Sequence, residues 1–162
     1  MRGEFILNAP RMLVRDIMET VFVTVPEDAT YKQVAELLYS TKRGCAFVLD
    51  TAGSLLGLVS EHDLFRILFP YYQSYYLNPE SYTDPKQREM KIEEVQDHPV
   101  SQFMCKNMHL ATPDEPIMRA GATMLAKNIR RMPVIENGKL IGVISRRRIY
   151  HTLFEQHLQQ GK

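Results

Sequence analysis

Apolar and polar positions follow one another in short blocks along this chain, and the set of blocks occurs twice. Phe22-Val23-Thr24-Val25 is a β-branched and aromatic run closed by Pro26, which predicts a short strand. Thr30 and Gln33 stand at capping-box spacing, and Val34, Leu37 and Leu38 mark one apolar face of the helix that follows. Ala46-Phe47-Val48-Leu49 and Leu55 to Val59, separated by Asp50-Thr51-Ala52-Gly53, predict a β-hairpin. Downstream the order returns. A helix is predicted from Ile117 to Asn128 with Met118, Ala122 and Leu125 facing inward. A second hairpin is turned by Asn137-Gly138, the dipeptide best suited to two positive φ angles.

The return is a sequence repeat. Val14-Arg15-Asp16-Ile17-Met18 matches Val100-Ser101-Gln102-Phe103-Met104, and Val25-Pro26-Glu27-Asp28 matches Thr112-Pro113-Asp114-Glu115. Gly53-Ser54-Leu55-Leu56-Gly57-Leu58-Val59-Ser60 matches Gly138-Lys139-Leu140-Ile141-Gly142-Val143-Ile144-Ser145, so the offset stays between 85 and 87 residues. Each copy reads strand, helix, strand, strand, helix, an α/β (α+β) unit of β-α-β-β-α order. A unit this small has too little core to stand alone, so two copies are expected to pack as one module about a pseudo-twofold axis. The expected organisation is an N-terminal segment 1–13, repeat one at 14–68, a linker at 69–99, repeat two at 100–154, and a helix end and tail at 155–162. The linker carries Tyr71, Tyr72, Tyr75, Tyr76 and Tyr82, then a charged stretch from Pro85 to Asp97 with helical character. The tyrosines either cover an apolar face or form a partner-docking surface.

Composition narrows the function classes. The 162 residues are 44% apolar and carry 20 Lys+Arg against 19 Asp+Glu, a balance unlike a nucleic-acid coat or a polybasic membrane anchor. No uncharged apolar run approaches the roughly 20 residues of a membrane-spanning helix, and Met1-Arg2-Gly3-Glu4 opens no signal peptide. Cys45 and Cys105 lie in no metal-binding spacing and are expected as buried thiols in a reducing cytoplasm. Hydrolase, phosphate-loop, zinc-protease and dinucleotide signatures are missing, so no catalysis and no required cofactor are expected.

Met18/Met104, Pro26/Pro113, Met132-Pro133-Val134-Ile135-Glu136 and Gly57-Leu58-Val59-Ser60-Glu61-His62-Asp63, in this order, resemble a tandem pair of CBS domains, the regulatory modules named after cystathionine β-synthase. The resemblance implies a disc-like module, often dimerised, with two clefts between the repeats that bind adenosine-containing ligands. It implies that the Ser/Thr and Asp of a G-x-x-[ST]-x-x-D motif hold the ribose hydroxyls. Residues near the other repeat's first strand and before its second strand would enclose the adenine, and basic residues there would meet phosphates.

Carried onto this chain, the first cleft uses Ser60 and Asp63, with Leu110, Ala111, Arg131, Met132 and Pro133 from the second copy. Arg43, taken as the counterpart of Arg130, is its candidate phosphate contact. A carboxylate accepts two hydrogen bonds at once, which suits vicinal hydroxyls. Ser60-x-x-Asp63 is equally a helix-capping pattern, and the two roles are compatible. Glu61, His62 and Asp63 point about 100° apart on a helix and cannot converge on a metal. The second cleft departs from the pattern. Arg148 stands where Asp63 would, in Ser145-Arg146-Arg147-Arg148, and arginine cannot accept from a ribose. With Arg130 it makes either a phosphate or polyphosphate site, with Ser145 and Arg147 beside Val23, Cys45 and Ala46 of the first copy, or an unused cleft with a basic rim. Phe47, where the second copy has Pro133, either narrows this cleft or fills core.

The expected function is a stand-alone cytoplasmic module that binds AMP, ADP, ATP or S-adenosylmethionine and signals as a homodimer to an unidentified regulated protein. A scaffold module with both clefts unused, and a nucleic-acid binder working through Arg146 to Arg148, are the alternatives. Saturable binding of a mononucleotide separates the first from both.

Overall fold

The computed structural model describes residues 11–69, 72–81 and 92–158. In chain order the elements are α1 (Val14–Ile17), β1 (Thr24–Pro26), α2 (Tyr31–Thr41), β2 (Cys45–Leu49), β3 (Leu55–Ser60), α3 (Glu61–Ile67) and α4 (Tyr72–Leu77). After a 3-10 turn at Pro79–Ser81 come a helical stretch at 92–95 (α5) and a 3-10 turn at Val100–Gln102. The chain continues with α6 (Ile117–Ala126), β4 (Arg131–Glu136), β5 (Lys139–Ser145) and α7 (Arg146–His157).

The chain forms two compact units, and their borders differ from those of the sequence repeats. One unit is Phe22–Met108; the other joins the chain up to Val21 with the chain from His109 onward. The opening segment of each repeat packs on the body of the other. Val14 and Ile17 are buried with Ala111, Ile117, Ala120, Met124, Met132, Val134, Ile144 and Ile149, while Val100 and Phe103 join the core of Val25, Val34, Leu38, Val48 and Val59. Glu19 exchanges both backbone bonds with Val143 at 2.8 and 2.9 Å, and Cys105 does the same with Leu58 at 2.8 and 3.0 Å. A Cβ on Gly142 would meet Met18 Sδ at 2.9 Å, and one on Gly57 would meet Met104 Sδ at 2.5 Å. The repeated Met and the repeated Gly are therefore one contact, made twice.

In the unit Phe22–Met108 the sheet order is β1-β2-β3, with β1 parallel to β2 and β2 antiparallel to β3. The first strand lies later than the β-branched run suggested, at Thr24–Pro26, and includes the proline as its last residue. Thr30 and Gln33 form the expected reciprocal cap of α2. Phe47 is fully buried and packs edge-on against Phe22.

Among the described residues, the sheet of the other unit is the antiparallel pair β4-β5, and a single parallel bridge, Ala111 to Val134, stands in place of the expected first strand. Pro133 is the reason. The bond Phe47 N–H to Val23 O in the first copy has its counterpart at Pro133, which has no N–H to give. The Asn137-Gly138 turn is as expected, with φ of 50° and 76°.

Helix α6 corrects a further expectation. Ile117, Ala120 and Met124 face the core, whereas Met118, Ala122 and Leu125 are exposed. Both sets obey helical spacing, so periodicity alone did not choose between them. The helix also ends at Ala126, before Asn128, whose φ of 52° is non-helical. Cys45 is buried as expected, but Cys105 is exposed, because its backbone and not its side chain makes the strand contact.

In the linker, Tyr71 and Tyr82 lie outside the described residues, as do the side chains of Tyr72 and Tyr75. Tyr76 is exposed. Of the charged stretch, residues 92–95 are helical and Asp97 lies in a turn, while the part before residue 92 lies outside the described residues.

Candidate functional site

Strand β3 ends at Ser60, where the backbone leaves extended geometry (φ −126°, ψ 166°) to start α3. Asp63 falls one turn in. It is the one buried charged residue among those described, 8% exposed. Its Oδ2 accepts Ser60 N–H at 2.9 Å and Ser60 Oγ–H at 2.7 Å, while Asp63 N–H points back to Ser60 Oγ at 3.4 Å. The capping pattern is therefore real, and it holds the carboxylate in a fixed orientation. A residue not singled out from the sequence joins the group: Arg66 Nη2 lies 3.4 Å from Asp63 Oδ1. Its i,i+3 spacing from Asp63 was the available signal. Glu61 and His62 are exposed, and among the described residues no cluster of His, Cys, Asp or Glu is arranged to hold a metal ion.

Chemically, a carboxylate offers about four lone-pair sites, and Ser60 takes two on one oxygen. The Oδ1 side stays available to a donor pair such as a vicinal diol, apart from its long contact with Arg66.

The matching position of the second copy works differently. Ser145 Oγ accepts Arg148 N–H at 3.1 Å, so half of the capping box survives. The reciprocal half is lost because arginine has no acceptor. Arg148 Nε instead donates to the Ile17 carbonyl at 3.0 Å, placing a cation at the C-terminus of α1, where the helix dipole favours it. Arg147 Nε lies 3.5 Å from His151 Nε2. Arg146 N–H bonds to Arg130 O at 3.0 Å, as Glu61 N–H bonds to Gly44 O at 3.3 Å. That pair of bonds sets the register: the counterpart of Arg130 is Gly44, not Arg43, which matches Ile129.

The residues expected to share each cleft divide between the two units. Ser60, Asp63, Arg43, Val23, Cys45 and Ala46 lie in Phe22–Met108; Leu110, Ala111, Arg130, Arg131, Met132, Pro133, Ser145, Arg147 and Arg148 lie in the other. Within the latter, Ala111 N–H bonds to Pro133 O at 2.9 Å, which brings Ala111 beside Met132-Pro133 as expected. Ala46, Ala111 and Met132 spend their side chains on the cores, whereas Leu110, Arg130 and Arg131 are exposed.

Comparison with known proteins agrees with this fold. The uncharacterized protein MJ1426 of Methanocaldococcus jannaschii is 32% identical over 152 residues, covering 86% of this chain and 90% of that protein. Several other relatives are longer, and the chain spans less than half of their length. Among solved structures, the CBS domain pair of protein MJ0100, in complex with 5′-methylthioadenosine and S-adenosyl-L-methionine, superposes with a TM-score of 0.67 at 18% identity, over 91% of this chain and 99% of that one. CBSX2 in complex with AMP superposes with a TM-score of 0.68 at 22% identity, over 89% and 97%. The family model for the CBS domain matches twice, at residues 14–70 and 100–155. Two matched copies over most of its length, on a fold shared with solved CBS pairs, make the chain a member of the CBS domain family that carries the domain as a tandem pair.

Proposed function

We propose that this chain is a non-catalytic regulatory module that binds an adenosine-containing ligand of the AMP, ADP, ATP or S-adenosylmethionine class, with Ser60 and Asp63 holding the ribose. The observation that carries the reading is the buried Asp63 carboxylate, oriented through Oδ2 by two Ser60 bonds and leaving Oδ1 to accept. The adenosine ligands of two structurally similar CBS pairs support it. Binding passes to a partner protein through a change in conformation or in dimer geometry. The second repeat takes no part in ribose recognition, since Arg148 is a donor already directed at Ile17 O.

Calorimetric titration with the four ligands tests this on the wild-type chain and on Asp63→Asn. An asparagine keeps one acceptor for the Ser60 cap and replaces the other oxygen by a donor, so folding is retained while diol recognition is lost. Saturable binding that Asp63→Asn weakens about tenfold or more, roughly 1.4 kcal/mol, is the expected result. Binding that ignores the substitution refutes the assignment. Melting curves that no ligand shifts at millimolar concentration would favour a scaffold instead.

A further inference from the structure

We propose that Arg66 is an internal competitor for the Asp63 carboxylate, so that an adenosine-type ligand binds by displacing it. This rests on the ribose reading of Asp63. Ser60 fills the acceptor capacity of Oδ2, so the two hydroxyls of a ribose need Oδ1, and Arg66 Nη2 stands against that same oxygen. The contact is 3.4 Å, longer than the roughly 2.7–2.9 Å of a strong charge-assisted bond. The two side chains also differ in freedom. The Asp63 carboxylate is 11% exposed and pinned, while Arg66 is 51% exposed and can swing into water. The cation that yields is therefore Arg66.

The internal repeat supplies a comparison within the same chain. Ser145, Arg148 and His151 occupy the positions of Ser60, Asp63 and Arg66. Where the carboxylate is replaced by Arg148, the arginine one turn later is replaced by His151, which lies instead beside Arg147. The guanidinium at this position accompanies the carboxylate and is absent without it. A carboxylate oxygen left free by the cap and next to a half-exposed guanidinium is an acceptor held in check, which raises the ligand concentration needed to occupy the module.

Adenosine is the probe, because it has no phosphate and its own binding carries no charge. Titrations of the wild type, Arg66→Met and Arg66→Gln are run at low and high salt, with melting temperatures alongside. Adenosine is expected to bind the variants about two- to fivefold more tightly at low salt, the range open to a half-exposed ion pair. The gap is expected to close by about 0.5 M salt, as screening weakens the competitor in the wild type. Equal affinities, weaker binding by the variants, or a gap indifferent to salt would overturn the competitor role. Weaker binding would mark Arg66 as a residue that positions Asp63. Failure of the wild type and of both variants to bind adenosine would overturn the ribose reading itself, and this inference with it.

Discussion

Gly57→Ala places a methyl group where the second repeat's opening segment presses on the first hairpin. The new Cβ would lie 2.5 Å from Met104 Sδ, 2.9 Å from Met104 Cγ and 3.1 Å from the Cys105 carbonyl oxygen. Carbon contacts are comfortable at roughly 3.5–4.0 Å, so all three must give way. The thioether can swing aside. The carbonyl cannot do so freely, because Leu58 N–H bonds to it at 3.0 Å and Cys105 N–H returns a bond to Leu58 O at 2.8 Å. Overpacking of this kind costs about 1–3 kcal/mol. Replacing Gly also stiffens the unfolded chain, which returns about 0.4–1 kcal/mol. The net expectation is a loss of about 1–2 kcal/mol, or a fall in melting temperature of roughly 2–8 °C for a chain of this size. Urea and thermal unfolding followed by circular dichroism measure it. A double-mutant cycle with Met104→Ala isolates the contact, since the alanine removes Sδ and Cγ. Gly57→Ala should then cost less by about 1 kcal/mol, the remainder belonging to the Cys105 carbonyl. An unchanged or raised melting temperature, or an equal cost in both backgrounds, would refute the interlocking of Met and Gly. Gly142→Ala, facing Met18 Sδ at 2.9 Å and Glu19 O at 3.0 Å, should behave in the same direction.

Two further outcomes follow from single side chains. Tyr31 donates its hydroxyl to Leu64 O at 3.2 Å, and burial raises its pKa above the ordinary 10.0. The unfolded chain releases this proton near pH 10 while the folded chain keeps it, so the stabilisation is complete below about pH 10 and is lost as pH climbs toward the raised value. Urea midpoints measured across that window should decline less steeply in Tyr31→Phe; identical slopes would contradict the assignment. The native chain should react rapidly with one equivalent of a thiol reagent at the exposed Cys105, and with a second at the buried Cys45 only on unfolding. Cys105→Ser should abolish the rapid phase and Cys45→Ser should leave it; the opposite pattern would reverse the burial of the two thiols.

What the sequence by itself determined is local or repeated. The Thr30–Gln33 and Ser60–Asp63 caps span four residues each, and the Asn137-Gly138 turn needs only two left-handed φ angles, so the residues involved were sufficient to specify them. The family was legible for a related reason, since two copies in matching order outweigh motifs that are each weak alone. Arg66 belonged to the same local class and was visible at i,i+3 from Asp63, although its chemistry became clear only beside a carboxylate whose other oxygen is already taken. Pro133 carried its own warning, a missing N–H where the first copy has Phe47 N–H bonded to Val23 O, and the lost strand is its consequence.

Tertiary structure decided the rest. Met118, Ala122 and Leu125 are spaced as well as Ile117, Ala120 and Met124, and the surface available to cover one set made the choice. Arg148 found its acceptor 131 residues away, at Ile17, a partner that no local pattern could indicate. The opening segments crossed to the opposite bodies because Val14, Ile17, Val100 and Phe103 are buried there, and because Gly57 and Gly142 leave room for a methionine. Hydrogen bonds within a single turn depend on a few φ and ψ angles, which neighbouring residues set. Burial depends on which distant surfaces meet, and that is settled only when the whole chain has folded.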